Sequence, residues 1–319
     1  MSKSKEDWLL EFSDPAVRYR ALVELMGCDR AGLEARTAKR AVAEMPEVQQ
    51  LFDLRAPDGF WRWPCAKAKT PHPDPMHCKN WDATVLAFQY LAEFGLDGSD
   101  LRIDRAVTAF LALHQWPEDF QSACRYVMLL RVLVMLGYEQ HPKVAALADR
   151  LRRSVRWDNG LLCDGKERRR KTPPMKSCVR ATTKALMAFA DASALRDTPE
   201  AVRVAEYFRG RRVLYRRDQP EKVVRGAMVR TGFPFENGFP GLLELVYGLS
   251  ALGYGRRPEL ADAWRALEAK RDSDGRYRLD YTRIWHVPHA FPQLDSRGAP
   301  SKWATLYALM ARKRAGLDA

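Results

Sequence analysis

Four stretches of this chain are apolar on nearly every helical face, and each is followed by a polar linker and an amphipathic helix. The stretches are Asn80 to Gly95, Ser122 to Gly137, Ser177 to Ala192 and Phe239 to Gly253. In the second, Leu129, Leu130, Val132, Leu133, Val134, Met135 and Leu136 leave little polar surface. A helix of that kind must be covered all round. Its partner downstream carries Val144, Leu147, Leu151 and Val155 at near-helical spacing among basic residues, so only one of its faces seeks cover. A partial unit runs from Ser301 to Gly316, and an irregular first unit begins at Asp14. Repeats of about forty to sixty residues are typical of helix-pair arrays. The pattern predicts an all-α fold in which first helices form an inner ring and second helices an outer ring. An open solenoid is the competing architecture.

The turns favour closure into an α/α toroid. Asp58-Gly59-Phe60-Trp61, Asp158-Asn159-Gly160-Leu161 and Asp274-Gly275-Arg276-Tyr277 all follow the second helix of a pair. Asp, Asn and Gly suit a turn with a left-handed residue, and the apolar residue after it can pack back on the helix ends. The organisation expected is one toroid over residues 1–319, with an irregular helical unit at about 1–55.

Apolar residues make up 46% of the 319, enough for a sizeable core, and no apolar run reaches the length of a membrane span. The opening MSKSKEDWLLEF has acidic residues where a secretion signal would be apolar, which points to a cytoplasmic protein with reduced cysteines. The net charge of +13 is compatible with nucleic acid, a phosphorylated ligand or a membrane surface, and equally with a general abundance of arginine. Its densest run, Lys166 to Lys171, reads as a solvated loop.

Three groups of residues are candidates for chemistry. Cys124 and Cys178 start inner helices, as does Cys78, while Cys163 follows a turn, as does Cys65. On one rim of a toroid, Cys124, Cys163 and Cys178 could meet around zinc, with His77 as a fourth ligand. None of the spacings is the tight CxxC of a structural zinc site. His286 and His289 flank a proline in WHVPHAF, and His286 could be a general base oriented by Asp295. The stretch Arg209 to Arg230 offers Arg216, Arg217 and Arg225 as forks for phosphate oxygens, or else is an exposed connector.

The DGFW and DGRY turns, with Gln50 upstream of the first and Gln115-Trp116 at another turn, resemble degenerate glutamine–tryptophan repeats of squalene–hopene cyclases. DPAVRYRALVEL, SCVRATTKALMAF, TGFPF and APSKWATLYAL further resemble small bacterial prenyltransferase-like, squalene-cyclase-like proteins. The resemblance implies an α/α toroid of the terpenoid-cyclase and protein-prenyltransferase superfamily. It also implies a central cavity for an apolar or isoprenoid-like molecule, and a transferase or cyclase activity. The DxDD acid and DDxxD magnesium motifs of those enzymes are missing from the sequence, so the resemblance transfers a scaffold and leaves the reaction open. The alternative expectation is a non-catalytic scaffold whose basic surface binds a protein or nucleic acid.

Overall fold

The computed structural model describes residues 4–62, 74, 78–113, 122–163, 176–235, 240–282 and 291–317. Among these residues the chain is all-helical, with isolated β-bridges and no strands. It is an α/α toroid. The inner elements are α2 (Pro15–Arg20, continued by a π-helical turn Ala21–Leu25), α5 (Cys78–Glu93), α7 (Ala123–Met135), α9 (Val179–Asp191), α11 (Leu242–Ala251) and α13 (Lys302–Ala315). The outer elements are α1 (Lys5–Leu9), α3 (Leu33–Ala43), α6 (Leu101–Ala112), α8 (Pro142–Arg153), α10 (Pro199–Arg209) and α12 (Ala261–Glu268), while α4 (Pro46–Asp53) packs on α3.

Burial follows the sequence pattern. From Ala123 to Leu133 every residue of α7 except Arg125 is buried, and from Leu242 to Ser250 every residue of α11 is buried. In α8 only Val144, Leu147 and Leu151 are buried. Burying a leucine of this kind stabilises by about 1.5–3 kcal/mol, which is why the all-round apolar helices take the inside. The outer helices α8 and α10 begin with proline, whose missing N–H costs nothing at the first helical position.

Neighbouring inner helices pack in the order α5, α7, α9, α11, α13, and α13 then packs on α2 and its π turn. The ring closes between α2 and α5. There Arg20 Nη1 donates to the Glu93 carbonyl at 3.0 Å. Gly95 follows α5 with φ +91°, and a Cβ on it would stand 2.4 Å from the Tyr19 ring, so the approach of α2 requires glycine. The N-terminal helix α1 lies against α13 and acts as its outer partner, and just beyond α1 Lys302 Nζ reaches Glu11 at 2.9 Å.

The three glycine turns share one device. Each turn closes with a backbone bond, as in Arg156 N–H to the Gly160 carbonyl at 3.0 Å. The next residue then donates its N–H to a buried threonine in the following inner helix. The pairs are Trp61 to Thr84 at 3.1 Å, Leu161 to Thr182 at 3.0 Å, and Tyr277 to Thr305 at 2.9 Å. The turn's backbone is thus satisfied where water does not reach.

The ring axis is occupied by side chains and by the segment Thr231–Phe235. Phe233 stacks on Trp303 with ring centres 4.5 Å apart, and Phe235 meets Tyr307 edge-on at 4.6 Å. The Phe235 carbonyl accepts from Gln89 Nε2. Towards the helix C-termini lies a buried charge network. Arg131 Nη1 is 2.8 Å from Glu93 and its Nε 2.6 Å from Asp191, whose other oxygen accepts from the Tyr247 hydroxyl at 2.7 Å. Tyr307 donates to Glu93, and Lys184 pairs with Glu244 in the same interior. Burial opposes the charge on Arg131, but Glu93 and Asp191 outweigh it and raise its pKa. Burial likewise opposes ionisation of Asp191, while Arg131 and Arg314 hold its carboxyl below the usual range. These charges persist inside because they are paired.

Candidate functional site

The arginine stretch divides in two. Arg209 and Arg212 turn to the outer helix α12 region, pairing with Glu259 and Asp262. The chain then doubles back: Tyr215 and Val223 form an antiparallel bridge, and Arg216 N–H donates to the Lys222 carbonyl at 2.9 Å. This turn brings Arg216, Arg217 and Arg225 to one cavity of about 470 Å³. Lys176 and Arg211 join them, with Trp157, Tyr207, Asp158 and Asp218 on the walls. All three arginines singled out in the sequence therefore share one site.

The cavity has a rigid side and an open side. Tyr207 is 2% exposed, with the Arg211 guanidinium 3.8 Å from its ring centre and that of Arg217 at 5.7 Å. Burial and then the neighbouring Arg211 act on Tyr207 in opposite senses, and burial wins, raising its pKa. Burial lowers that of Arg211, although Tyr207 pulls the other way. Asp158 accepts from both the N–H and the hydroxyl of Ser177, at 2.9 and 2.5 Å. Burial opposes its ionisation, but these bonds and the Gly160 N–H hold it below the usual carboxylate range. Asp218 is also held low, by its own backbone N–H and by Lys176. Trp157, on the same lining, is 66% exposed. An exposed indole lining the same cavity as several exposed cations is suited to a ligand with one flat apolar face and anionic groups at its edge.

Of the three sulfurs of the zinc expectation, those of Cys124 and Cys163 share a neighbour in Ser122, and Cys178 is the residue before α9. Ser122 Oγ lies 2.9 Å from Cys124 Sγ and 3.6 Å from Cys163 Sγ. Arg180 Nη2 is 4.0 Å from Cys163 Sγ. Burial opposes the charge of Arg180, yet Cys124, Cys178 and Cys163 together raise its pKa, so all three lie within its field. Among the described residues no three His, Cys, Asp or Glu side chains are placed to share a metal. His77, Cys65, His286, His289 and the run Lys166–Lys171 lie outside the described residues.

Asp295, expected to orient His286, accepts a hydrogen bond at the start of α13. Ser301 Oγ donates to it at 2.5 Å and also accepts from Ala304 N–H, capping α13. Burial, and the nearby Asp14 carboxylate, push the Asp295 carboxyl up to about 6 against the pull of Ser301. Asp14 is raised as well, by burial and despite Lys302. It lines a separate cavity of about 390 Å³ with Phe12, Glu47, Leu294 and Trp303. That pair of carboxyls is drawn together from the two ends of the chain, which sequence spacing did not reveal.

No protein-family model matches the chain, and no curated protein matches it. Solved structures share its fold, and two of them illustrate the likeness. One is a glycosyl hydrolase family 88 protein from Bacteroides vulgatus, with TM-score 0.52 and 14% identity over 94% of this chain and 90% of that one. The other is a polysaccharide lyase, with TM-score 0.53 and 14% identity over 95% of this chain and 90% of that one. Both are α/α toroids of the six-hairpin glycosidase-like kind, a superfamily different from the terpenoid cyclases.

These neighbours overturn the resemblance to terpenoid cyclases and prenyltransferases, and with it the expectation of an isoprenoid-binding transferase or cyclase. The scaffold alternative gains no support from them. The physical reason for the mistaken assignment is that hairpin repeats and glycine–aromatic turns are demands of any closed helical ring. The interior agrees with the correction: at the level of Glu93, Arg131 and Asp191 the axis is crossed by ion pairs, a poor lining for an isoprenoid chain. Among the described residues no helix is long and apolar enough to cross a membrane.

Proposed function

We propose that this toroid binds a carbohydrate that carries anionic groups, and that the cavity of Arg216, Arg217 and Arg225 is where it binds. The observation that carries the reading is the convergence of five cationic side chains beside the exposed indole of Trp157. Arginine forks match carboxylate, sulfate or phosphate oxygens in bidentate fashion. An indole face matches the C–H face of a sugar ring. The two neighbours of like fold are named for a glycosyl hydrolase family and a polysaccharide lyase, which supports carbohydrate as the ligand class. A volume of about 470 Å³ accommodates one or two sugar units.

The proposal is one of recognition. Cleaving a glycosidic bond by acid catalysis needs a carboxyl protonated near neutrality. Asp158 and Asp218, in the cavity, are both held in the ionised range.

Titration calorimetry of the full chain tests the reading. Oligogalacturonate or a sulfated oligosaccharide should bind, and an uncharged cello-oligosaccharide of equal length should bind at least about tenfold more weakly, equivalent to 1.4 kcal/mol. The triple variant Arg216→Ala, Arg217→Ala, Arg225→Ala should lose the acidic ligand, and Trp157→Ala should weaken it. Equal binding of acidic and neutral oligosaccharides, or an unchanged affinity in the triple variant, refutes it. Inorganic pyrophosphate binding as tightly as the saccharide would refute the carbohydrate part alone.

A further inference from the structure

Cys124 and Cys163 come from different hairpins, yet one hydroxyl, Ser122 Oγ, contacts both sulfurs at 2.9 and 3.6 Å. Both are thiols and both are buried, Cys124 at 1% exposure and Cys163 at 7%. Buried cysteine usually acts as a small apolar side chain with apolar neighbours. Here, besides the apolar core, the neighbours include a hydroxyl, a second sulfur and the Arg180 guanidinium, 4.0 Å from Cys163 Sγ. That cation stands beside the less deeply buried of the two residues. A positive group next to a thiol favours the thiolate, which is the form that reacts.

We propose that Cys124 and Cys163 are a redox-active dithiol that a hydroperoxide closes to an intramolecular disulfide. The Cys163 thiolate attacks the peroxide O–O bond, forming a sulfenic acid and releasing one alcohol or water. The Cys124 sulfur then attacks the Cys163 sulfur and expels water. Two thiols lose two protons and two electrons, and the peroxide takes them up as alcohol and water. Cys124 is the resolving partner because the guanidinium of Arg180 lies at Cys163, while the hydrogen bond to Cys163 and burial raise the Cys124 thiol against the pull of Arg180 and Ser122; Cys124 gives up its proton as it attacks.

The link would join the first turn of α7 to the 158–163 turn. That turn is tied onward by Cys178 N–H to the Leu161 carbonyl at 2.7 Å, and its Asp158 forms a wall of the arginine cavity. Closure therefore acts next to the cavity, but the chemistry does not depend on what that cavity binds.

The test exposes the reduced full chain to hydrogen peroxide, blocks remaining thiols by alkylation, and maps unreduced peptides by mass spectrometry. The expected result is a peptide pair joined through Cys124 and Cys163, separated again by dithiothreitol. In Cys124→Ser the link should vanish and Cys163 should become reactive to dimedone, which marks sulfenic acid. In Cys163→Ser no adduct should appear at Cys124. The mapping of the unmutated chain decides the matter if a variant does not fold. Cys163 linked to any other cysteine, Cys163 oxidised to sulfinic acid with no link, or a tightly held zinc ion that shields both sulfurs from peroxide would each overturn the proposal.

Discussion

Replacing Thr182 by valine isolates the device that seats each glycine turn on the ring. Valine keeps the shape and branching of threonine and removes only the hydroxyl. That hydroxyl accepts from Leu161 N–H at 3.0 Å and donates to the Cys178 carbonyl at 2.8 Å. Thr182 and Leu161 are both 0% exposed, so water cannot take over the orphaned N–H. Leaving one buried donor unsatisfied costs about 1–3 kcal/mol. For a chain of this size, about 1 kcal/mol corresponds to roughly 2 °C in melting temperature, so a fall of roughly 2–6 °C is expected. Thr37 supplies the control. It makes the same hydroxyl-to-carbonyl bond, to Leu33, on an exposed face of α3. Thr37→Val should change stability by no more than about 0.5 kcal/mol. Calorimetric melting of the two variants and the parent measures both. Equal shifts would refute the claim that the threonine holds the turn.

The ring assignment and the titration of Asp295 give two further expectations. Leu130→Ala and Leu186→Ala, at fully buried inner positions, should each cost about 2–5 kcal/mol, while Arg152→Ala on the outer face should cost about 0.5 kcal/mol or less; similar urea midpoints for all three would contradict the layering. Asp295 has its carboxyl pushed up to about 6 in the folded state from an ordinary 3.8, so its contribution to stability is greatest below pH 3.8 and is lost as pH rises towards 6. Asp295→Asn keeps the acceptor for Ser301 and removes the titration, so the loss of stability between pH 4 and 6.5 should shrink; denaturant unfolding across that range checks it, and an unaltered pH profile would show that Asp295 is not the group concerned.

The hairpins were legible because burial on all faces and burial on one face leave different sequence periods, as α7 and α8 show. The arginine site was legible in part. Arg216, Arg217 and Arg225 are close in sequence, and one bridged turn suffices to bring them together. Trp157 and Lys176 were missed there, because they arrive from other parts of the chain. A usable signal was overlooked in Ala83-Thr84, Ala181-Thr182 and Ala304-Thr305, which recur in the inner helix after each glycine turn and mark the turn's acceptor. The pairing of α1 with α13 and the approach of Asp14 to Asp295 could not be read. Both arise from closure, and nothing local in either segment encodes its partner. The superfamily was misread for a related reason: turns and hairpins report the demands of a ring, while the identity of its occupant is carried by side chains scattered around it.

Closure through α1, α2 and α13 has a consequence for how such a chain can change over evolutionary time. An open array of helix pairs can gain or drop a unit at little cost, since each unit meets only its two neighbours. Here Lys302 is tied to Glu11 and Lys313 to the carbonyls of Glu24 and Leu25, so the two ends of the array are themselves neighbours. Duplicating or deleting one hairpin would alter the angle at every inner interface at once and pull those end contacts apart. Variation is thereby steered away from the number of hairpins and into the loops and side chains at the rims, where one ring can be refitted for many ligands.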